Sequence, residues 1–471
     1  MEKTKNTTLR EFAKYVSANV IAMIGISCYI LADTFFISLN LGDTGLAALN
    51  FSSPSFSLVF SLGMLFGVGG ATKFAIHKGA KDTDKGNKVF THTVIVVGVI
   101  SLIFVLIGAF LNGQVASLLG ATGDTYELSK TYVQIILCFA PFFMYSNVFQ
   151  NFVRNDGGPR LAMIATLSGN LFNIVFDYVL IFPAKLGMLG AALATGFSPI
   201  VSILILSLFF IRKKNTFKLT KTKFSFRTVG DIARLGLASF IAEFAFGVVL
   251  LIFNKLFDSI GGTVAVAAYG IIVNVYYVTN AIFNGISSGT QPMISFSYGE
   301  SDHKKIRKVL KYALITTACT AAIIYVALFF GAKGIAGIFN QKGAPEVQNI
   351  AAVGIRLYFI SVLFSGFNLL FSCYFAASNK GFFAQIVTLM RGVVAVIPLA
   401  FLFANLWNMT GLWLATPAAE LITLAVTLVL FFVNNKKNSV PAKTQLYVRD
   451  LHSRSKHNRN NDVPKYENPI K

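Results

Sequence analysis

Charge is what this chain of 471 residues most lacks: only 13% of it is Asp, Glu, Lys or Arg, against roughly 25% in soluble domains. The shortfall excludes an ordinary soluble protein, because charges collect in short clusters separated by apolar runs of about 20 residues, the length that crosses a hydrocarbon core. Cysteine is nearly absent. Cys28, Cys138, Cys319 and Cys373 each stand alone in apolar segments, which excludes a disulfide framework and gives no metal-ligand spacing. Nor is there a His-rich motif: His77, His92 and His303 lie at or near loops, where a lone histidine is usually solvated. Period-2 alternation is missing too, which excludes an outer-membrane barrel and leaves helices to satisfy the backbone in lipid. The run GVGG at 67–70 lies inside an apolar stretch with no strand before it, so it is no phosphate loop; small residues there let helices approach closely.

What is present is 55% hydrophobic residues with a mean hydropathy of +0.64. Twelve spans are predicted: 16–39, 49–72, 89–111, 131–151, 161–182 and 187–211, then 235–257, 265–290, 309–331, 352–377, 383–405 and 410–433. The start is polar and the first apolar run is long enough to span, so no cleaved signal peptide is expected. The net charge of +21 would suggest nucleic acid in a soluble chain. Here 34 of the 41 Lys and Arg fall in segments that alternate onto one side, so the positive-inside rule places both termini in the cytoplasm. The polar stretch 212–234 sits near the midpoint. The reading is therefore an all-α integral membrane protein of two pseudo-symmetric six-helix bundles around a central cavity, with bundles at 1–214 and 235–434, a cytoplasmic linker at 215–234, and a disordered tail at 435–471.

The halves repeat at about 220 residues. GAKDTDKGNK at 79–88 aligns with GESDHKKIRK at 299–308, and GAALAT at 190–195 with GLWLAT at 411–416, which puts Thr195 on Thr416. Six spans per half give a parallel repeat about an axis along the membrane normal.

Ionisable groups inside spans are expensive and therefore functional candidates: Asp33, Asp177, Glu243, Lys255, Arg356, Arg391 and Glu420. Lys255 lies near a helix end and can snorkel. Span 5 places Asn170, Asn173 and Asp177 at i, i+3 and i+7, one face of one helix. With Asp33 of span 1, Thr195 of span 6, and Asn147 and Gln150 of span 4, this face offers two carboxylates and neutral oxygens. Such a set suits Na⁺ or proton exchange; the competing reading is a stripe that only binds neighbouring helices. The second half carries Asn280, Asn284 and Gln291 in span 8, Glu243 in span 7, Arg356 in span 10, Arg391 in span 11 and Glu420 in span 12. There Arg391 and Glu420 are as well explained by a structural ion pair. Span 11 has no polar group among Val394–Ala400 to match Asn173 and Asp177.

Several motifs resemble the multidrug and toxic compound extrusion (MATE) family: DTFFISLNLGDTGLAALN at 33–50, QNFVRNDGGPRLAMIATLSGNLFNIVFDYVLIF at 150–182, GMLGAALATG at 187–196, QPMISFSYGE at 291–300, IRLYFISVLFSGFNLLFSCYFAASNKG at 355–381 and LATPAAEL in span 12. The resemblance covers about residues 10–434. It implies export of drug-like, often cationic compounds in exchange for H⁺ or Na⁺, with the family's first-bundle cation site on Asp33, Asn173, Asp177 and Thr195, Na⁺ falling at the first three. Glu243 resembles the family's span 7 acid. Span 1 has Gly25 but not the proline linked in some members to bending.

The expectation is thus a bacterial plasma-membrane antiporter, not an enzyme, working as a monomer by alternating access on small organic substrates, without cofactor or nucleic acid. A flippase for lipid-linked sugars is the nearest rival, disfavoured because only Arg356 and Arg391 could meet a pyrophosphate. A membrane enzyme lacks a nucleophile or metal motif, and a channel would ring its acids.

Overall fold

The computed structural model describes residues 2–339 and 344–438, so the tail expected at 435–471 lies outside the described residues from 439 onward. Among the described residues every regular element is a helix. Nine helical stretches are long and apolar enough to cross a membrane, and the bent pair Asp124–Cys138 and Ala140–Asn155 makes a tenth. Two are too long for one crossing. The 74 residues of Phe226–Gly299 would reach about 110 Å at 1.5 Å per residue. That stretch leaves helical geometry at Gly261 and Gly262, and Gly381–Val433 does so at Trp407 and Asn408. Divided there, the described residues form twelve spans. One compact unit runs as far as Leu424, and Ala425–Asn438 continues as helix beyond it.

The repeat seen in the sequence is repeated in the backbone. Gly42 (φ 60°, ψ −148°) separates spans 1 and 2, and about 220 residues later Gly262 (φ 59°, ψ −155°) separates spans 7 and 8. Both angles are ones that glycine adopts without strain. Lys81 and Ser301 turn the chain at φ 59° and 60°. The residue after each, Asp82 or Asp302, accepts the N–H of Lys85 (3.1 Å) or Lys305 (2.9 Å) and starts the next helix. The Lys85 ammonium, 2.7 Å from Asp82, holds that carboxyl below the usual carboxylate range. Span 4 bends by 48° at Phe139, and span 10 passes a 3₁₀ turn at Phe359–Ser361, again about 220 residues on.

Spans of the two halves meet backbone to backbone at one end. A Cβ on Gly79 would lie 2.1 Å from the Phe296 oxygen, and one on Gly299 2.0 Å from the Ile76 oxygen. Gly69 and Gly236 sit likewise against the oxygens of Ile232 (2.1 Å) and Leu65 (1.8 Å). Gly285 and Gly289 of span 8 receive Val20 and Val16 of span 1. Only glycine permits approaches this close, and dispersion over the matched surfaces holds them. Lys73 pairs with Asp231 across the same seam at 3.2 Å.

The connection between the halves is not free. It is non-helical over 212–225, and helix resumes at Phe226, ahead of the 235 expected for span 7, because polar helix can continue beyond the lipid. Phe217 is fully buried among Phe74, Phe90, Phe152 and Phe210. The N–H groups of Thr216, Lys218, Thr220 and Ser225 donate to Asp156 (2.6 Å), Asn87 (2.8 Å), Thr91 (3.0 Å) and His92 Nε2 (3.0 Å).

Candidate cation site

Asp33, Asn170, Asn173, Asp177 and Thr195 come together, all buried; Asn173 and Asp177 are wholly so. The i, i+3, i+7 spacing in span 5 turns its three polar side chains toward spans 1 and 6. The Asn173 amide bridges: with its nitrogen donating to Asp177 Oδ2 at 3.2 Å, its oxygen accepts from Thr195 Oγ1 at 3.3 Å. The carboxyls of Asp33 and Asp177 lie within electrostatic reach of each other. Two neighbouring carboxylates out of water repel each other, so a proton or a cation between them is favourable. Yet Asp33 Oδ1, Asp177 Oδ1 and Asn170 Nδ2 are buried with no protein partner. Tyr29 and Tyr132 both lie within electrostatic reach of the two acids. The site therefore offers two carboxyls with free oxygens, ringed by neutral oxygen ligands. Two acids suit a monovalent cation or a proton better than a divalent ion, which gathers more carboxylates.

The second half holds a closed arrangement instead. Glu420 Oε1 accepts from Arg391 Nη2 (2.7 Å) and Nε (3.1 Å), while Asn368 Nδ2 donates to Glu420 Oε2 (2.7 Å) and to its backbone oxygen (2.9 Å). Arg391 stands in a π-helical bulge at Met390–Val394, a distortion frequent at functional positions. Tyr276 lies within electrostatic reach of Arg391 and Glu420. Each carboxylate oxygen is occupied, and Arg391 and Glu420 form an ion pair.

A family model described as MatE matches residues 19–179 and 238–402. The chain belongs to the MatE family. MatE proteins are transporters, not enzymes, and the chain is accordingly a multi-pass membrane protein. It is 29% identical over 412 residues to the multidrug export protein MepA of Staphylococcus saprophyticus, covering 87% of this chain and 90% of the relative. The MepA of Staphylococcus haemolyticus is 28% identical with the same coverage. Among solved structures, a MOP superfamily transporter from Pyrococcus furiosus superposes with a TM-score of 0.85 at 22% identity, over 91% of this chain and 96% of that one. An outward-facing MATE family transporter gives 0.85 at 22%, over 90% and 95%.

Other residues of this MatE chain fall in different places. Gln150 accepts from Thr166 (2.9 Å) and ties span 4 to span 5. Asn147 donates to Phe143 O (3.1 Å) and packs on Gly63 of span 2. Asn280 and Asn284 are half-buried, and Glu243 is exposed, beside Tyr276 and Tyr277. Gln291 belongs to the seam: its Nε2 donates to Thr72 (2.6 Å) and its Oε1 accepts from Asn155 (3.2 Å). Arg356 turns to span 9, donating to the Phe329 oxygen (3.3 Å) over that residue's ring. It therefore takes no part in the Glu420 cluster.

Sequence reading missed Tyr132, Asn368 and Arg154. Arg154 falls in a segment that reads as loop, yet helix runs to Asn155 and buries it to 5% exposure. Its guanidinium donates to Asn151 Oδ1 (3.2 Å), its Nε has no partner, and no carboxylate pairs with it among the described residues. A long basic residue in a helix's last turn, hard by a Gly-Gly turn, was the available signal.

Proposed function

We infer that this chain is a multidrug efflux antiporter. It exports drug-like, often cationic, organic compounds across a bacterial plasma membrane in exchange for H⁺ or Na⁺, by alternating access. The two staphylococcal relatives are multidrug export proteins, and the acid pair carries the coupling assignment: Asp33 and Asp177 each keep an unpartnered oxygen beside the other. A proton between the carboxyls, or Na⁺ held by Asp33, Asp177 and Asn173, removes their repulsion, while an empty charged pair pushes spans 1 and 5 apart. Thr195 orients Asn173. The seam lies at the end bearing the basic turns, so with both termini cytoplasmic this conformation is shut toward the cytoplasm and opens outward. The halves act as bundles 1–214 and 235–434, joined by the fastened connection, in a single monomer. Arg356 and Arg391 are both engaged within the protein, which removes the cations a pyrophosphate-lipid flippase would present.

The driving force suffices for one-for-one export of a neutral compound. For a monovalent cationic compound the voltage contributions cancel, leaving only the pH contribution unless further ions are coupled. One charge moving down 100 mV releases about 2.3 kcal/mol, and a pH unit adds about 1.4 kcal/mol. A tenfold gradient of a neutral compound opposes with about 1.4 kcal/mol.

In inverted vesicles, Asp177→Asn removes the titrating charge in an isosteric side chain and should abolish ion-coupled dye efflux in protein that still folds. Undiminished coupled efflux overturns the assignment. Imposed Na⁺ and pH gradients, applied separately, identify the ion.

A further inference from the structure

Outside the acid site, a cluster of cations surrounds a cavity of about 220 Å³ where span 5 begins and span 6 ends. Lys14, Arg160, Arg212 and Lys214 line it, with Leu161 and Phe209 as its apolar wall. None of the four cations is within ion-pair distance of a carboxylate among the described residues. The nearby acids are spoken for. Asp156 is bound by Lys78 and Thr216, and Glu11, one turn before Lys14, is paired with Lys305 at 3.9 Å.

The backbone adds to the same field. Gly157 turns at φ 105°. Gly158 then starts the 23-residue helix Pro159–Ile181 with no side-chain cap. The first N–H groups of that helix, including those of Arg160 and Leu161, have no intrahelical acceptor. They carry the positive end of the helix dipole to the cavity.

The fold does not require this pocket. About 220 residues later, the corresponding helix starts at Gly381, where a Cβ would lie 2.4 Å from the Arg234 oxygen. Gln385 donates to that same carbonyl at 2.9 Å. Phe382 and Phe383 follow where Arg160 and Leu161 stand in the first half. The second half closes the space by packing; the first half leaves it open and makes it basic.

We propose that this cavity binds the phosphate of an anionic phospholipid. The cations and free N–H groups take the phosphate. The commitment to lipid rests on position: the pocket lies at the ends of two spans, and Leu208 and Ile211 beside it are 37% and 70% exposed, an apolar face continuous with the basic mouth along which acyl chains run. Basic pockets between spans recognise lipid head groups by this chemistry.

The test is native mass spectrometry of the delipidated full-length protein, titrated with phosphatidylglycerol, phosphatidylethanolamine or inorganic phosphate. Phosphatidylglycerol should be retained in preference to phosphatidylethanolamine. Arg160→Gln with Arg212→Gln should weaken it about thirtyfold, since each surface cation is worth about a factor of five. Arg160→Lys with Arg212→Lys should restore most of the binding. The exposed pair Lys221→Gln with Lys223→Gln, an equal loss of charge on the connection, should leave it unchanged. Equal retention of both lipids overturns the proposal, as does an equal loss in the Lys221/Lys223 variant. Displacement of the lipid by millimolar inorganic phosphate reassigns the pocket to a soluble phosphate and overturns it as well.

Discussion

Breaking the Arg391–Glu420 pair from one side should be far worse than replacing both partners. In the intact protein the Glu420 carboxylate takes two bonds from Arg391 on one oxygen and one from Asn368 on the other, with side chains only 10% and 6% exposed. Arg391→Met leaves that carboxylate buried with a single neutral donor, a loss of about 3–5 kcal/mol for an orphaned buried charge. Arg391→Met with Glu420→Met removes both desolvation penalties and fills similar volume, so it should fall within about 1 kcal/mol of wild type or exceed it. Thermal unfolding in detergent, run as a double-mutant cycle, measures the coupling. The reasoning fails if the single replacement is no more destabilising than the double. It fails differently if the double variant folds but loses the ion dependence of efflux, because then the cluster is part of the coupling and not a brace.

Two further perturbations address the seam. Gly299→Ala places a methyl about 2 Å from a backbone oxygen that cannot move independently, so spin-label distances across the basic end should lengthen as the closed arrangement is lost; unchanged distances would show that the seam tolerates a gap. Arg154→Met removes a buried guanidinium without a carboxylate partner and should stabilise the closed arrangement by about 1–4 kcal/mol. Slower opening, with reduced labelling of Cys373, which lies within electrostatic reach of Arg154, is the expected readout; faster labelling would contradict it.

The spans were legible because length and apolarity alone decide what can sit in lipid; span 6 ends where the sequence places it, at 187 and 211. Helix ends were less so. Spans 7 and 9 run past their apolar limits to Phe226 and Phe339, since polar residues continue a helix in water as readily as they end it. The acid site was half legible: the face of span 5 follows from spacing, whereas bringing Asp33 to Asp177 is tertiary, and the family resemblance supplied it. Asn368, one amide in an otherwise apolar stretch, gave no hint that it would hold Glu420. Arg356 misled because periodicity on span 10 cannot say which face meets the cavity and which meets span 9. Arg154 misled for the reason opposite to Arg356: charge suggests water, but the partner half covers it.

Under the proposed function, the duplicated scaffold explains why ions would act on only one half. An Arg–Glu pair is neutral as a unit, and with every carboxylate oxygen bonded it has no use for an incoming cation. The acid pair of the first half keeps free oxygens, and under the proposed coupling these would receive the proton or Na⁺. The lever is span 1. It carries Asp33, and about 20 Å along the same helix its Val16 and Val20 press into Gly289 and Gly285 of span 8. Midway, Ser27 donates to the Tyr277 oxygen at 3.1 Å, so the helix grips the second half along much of its length. Under the proposed coupling, a change in charge at Asp33 would reach the seam through one continuous helix, in a place where a displacement of an ångström turns a glycine contact into a gap. Glu420, bonded to Asn368 of span 10 and to Arg391 of span 11, braces its own half and touches no residue of the seam through those bonds. The proposed coupling would therefore follow from which helix carries the unsatisfied acid, and the same fold with its acid on span 12 would have a charge but no lever.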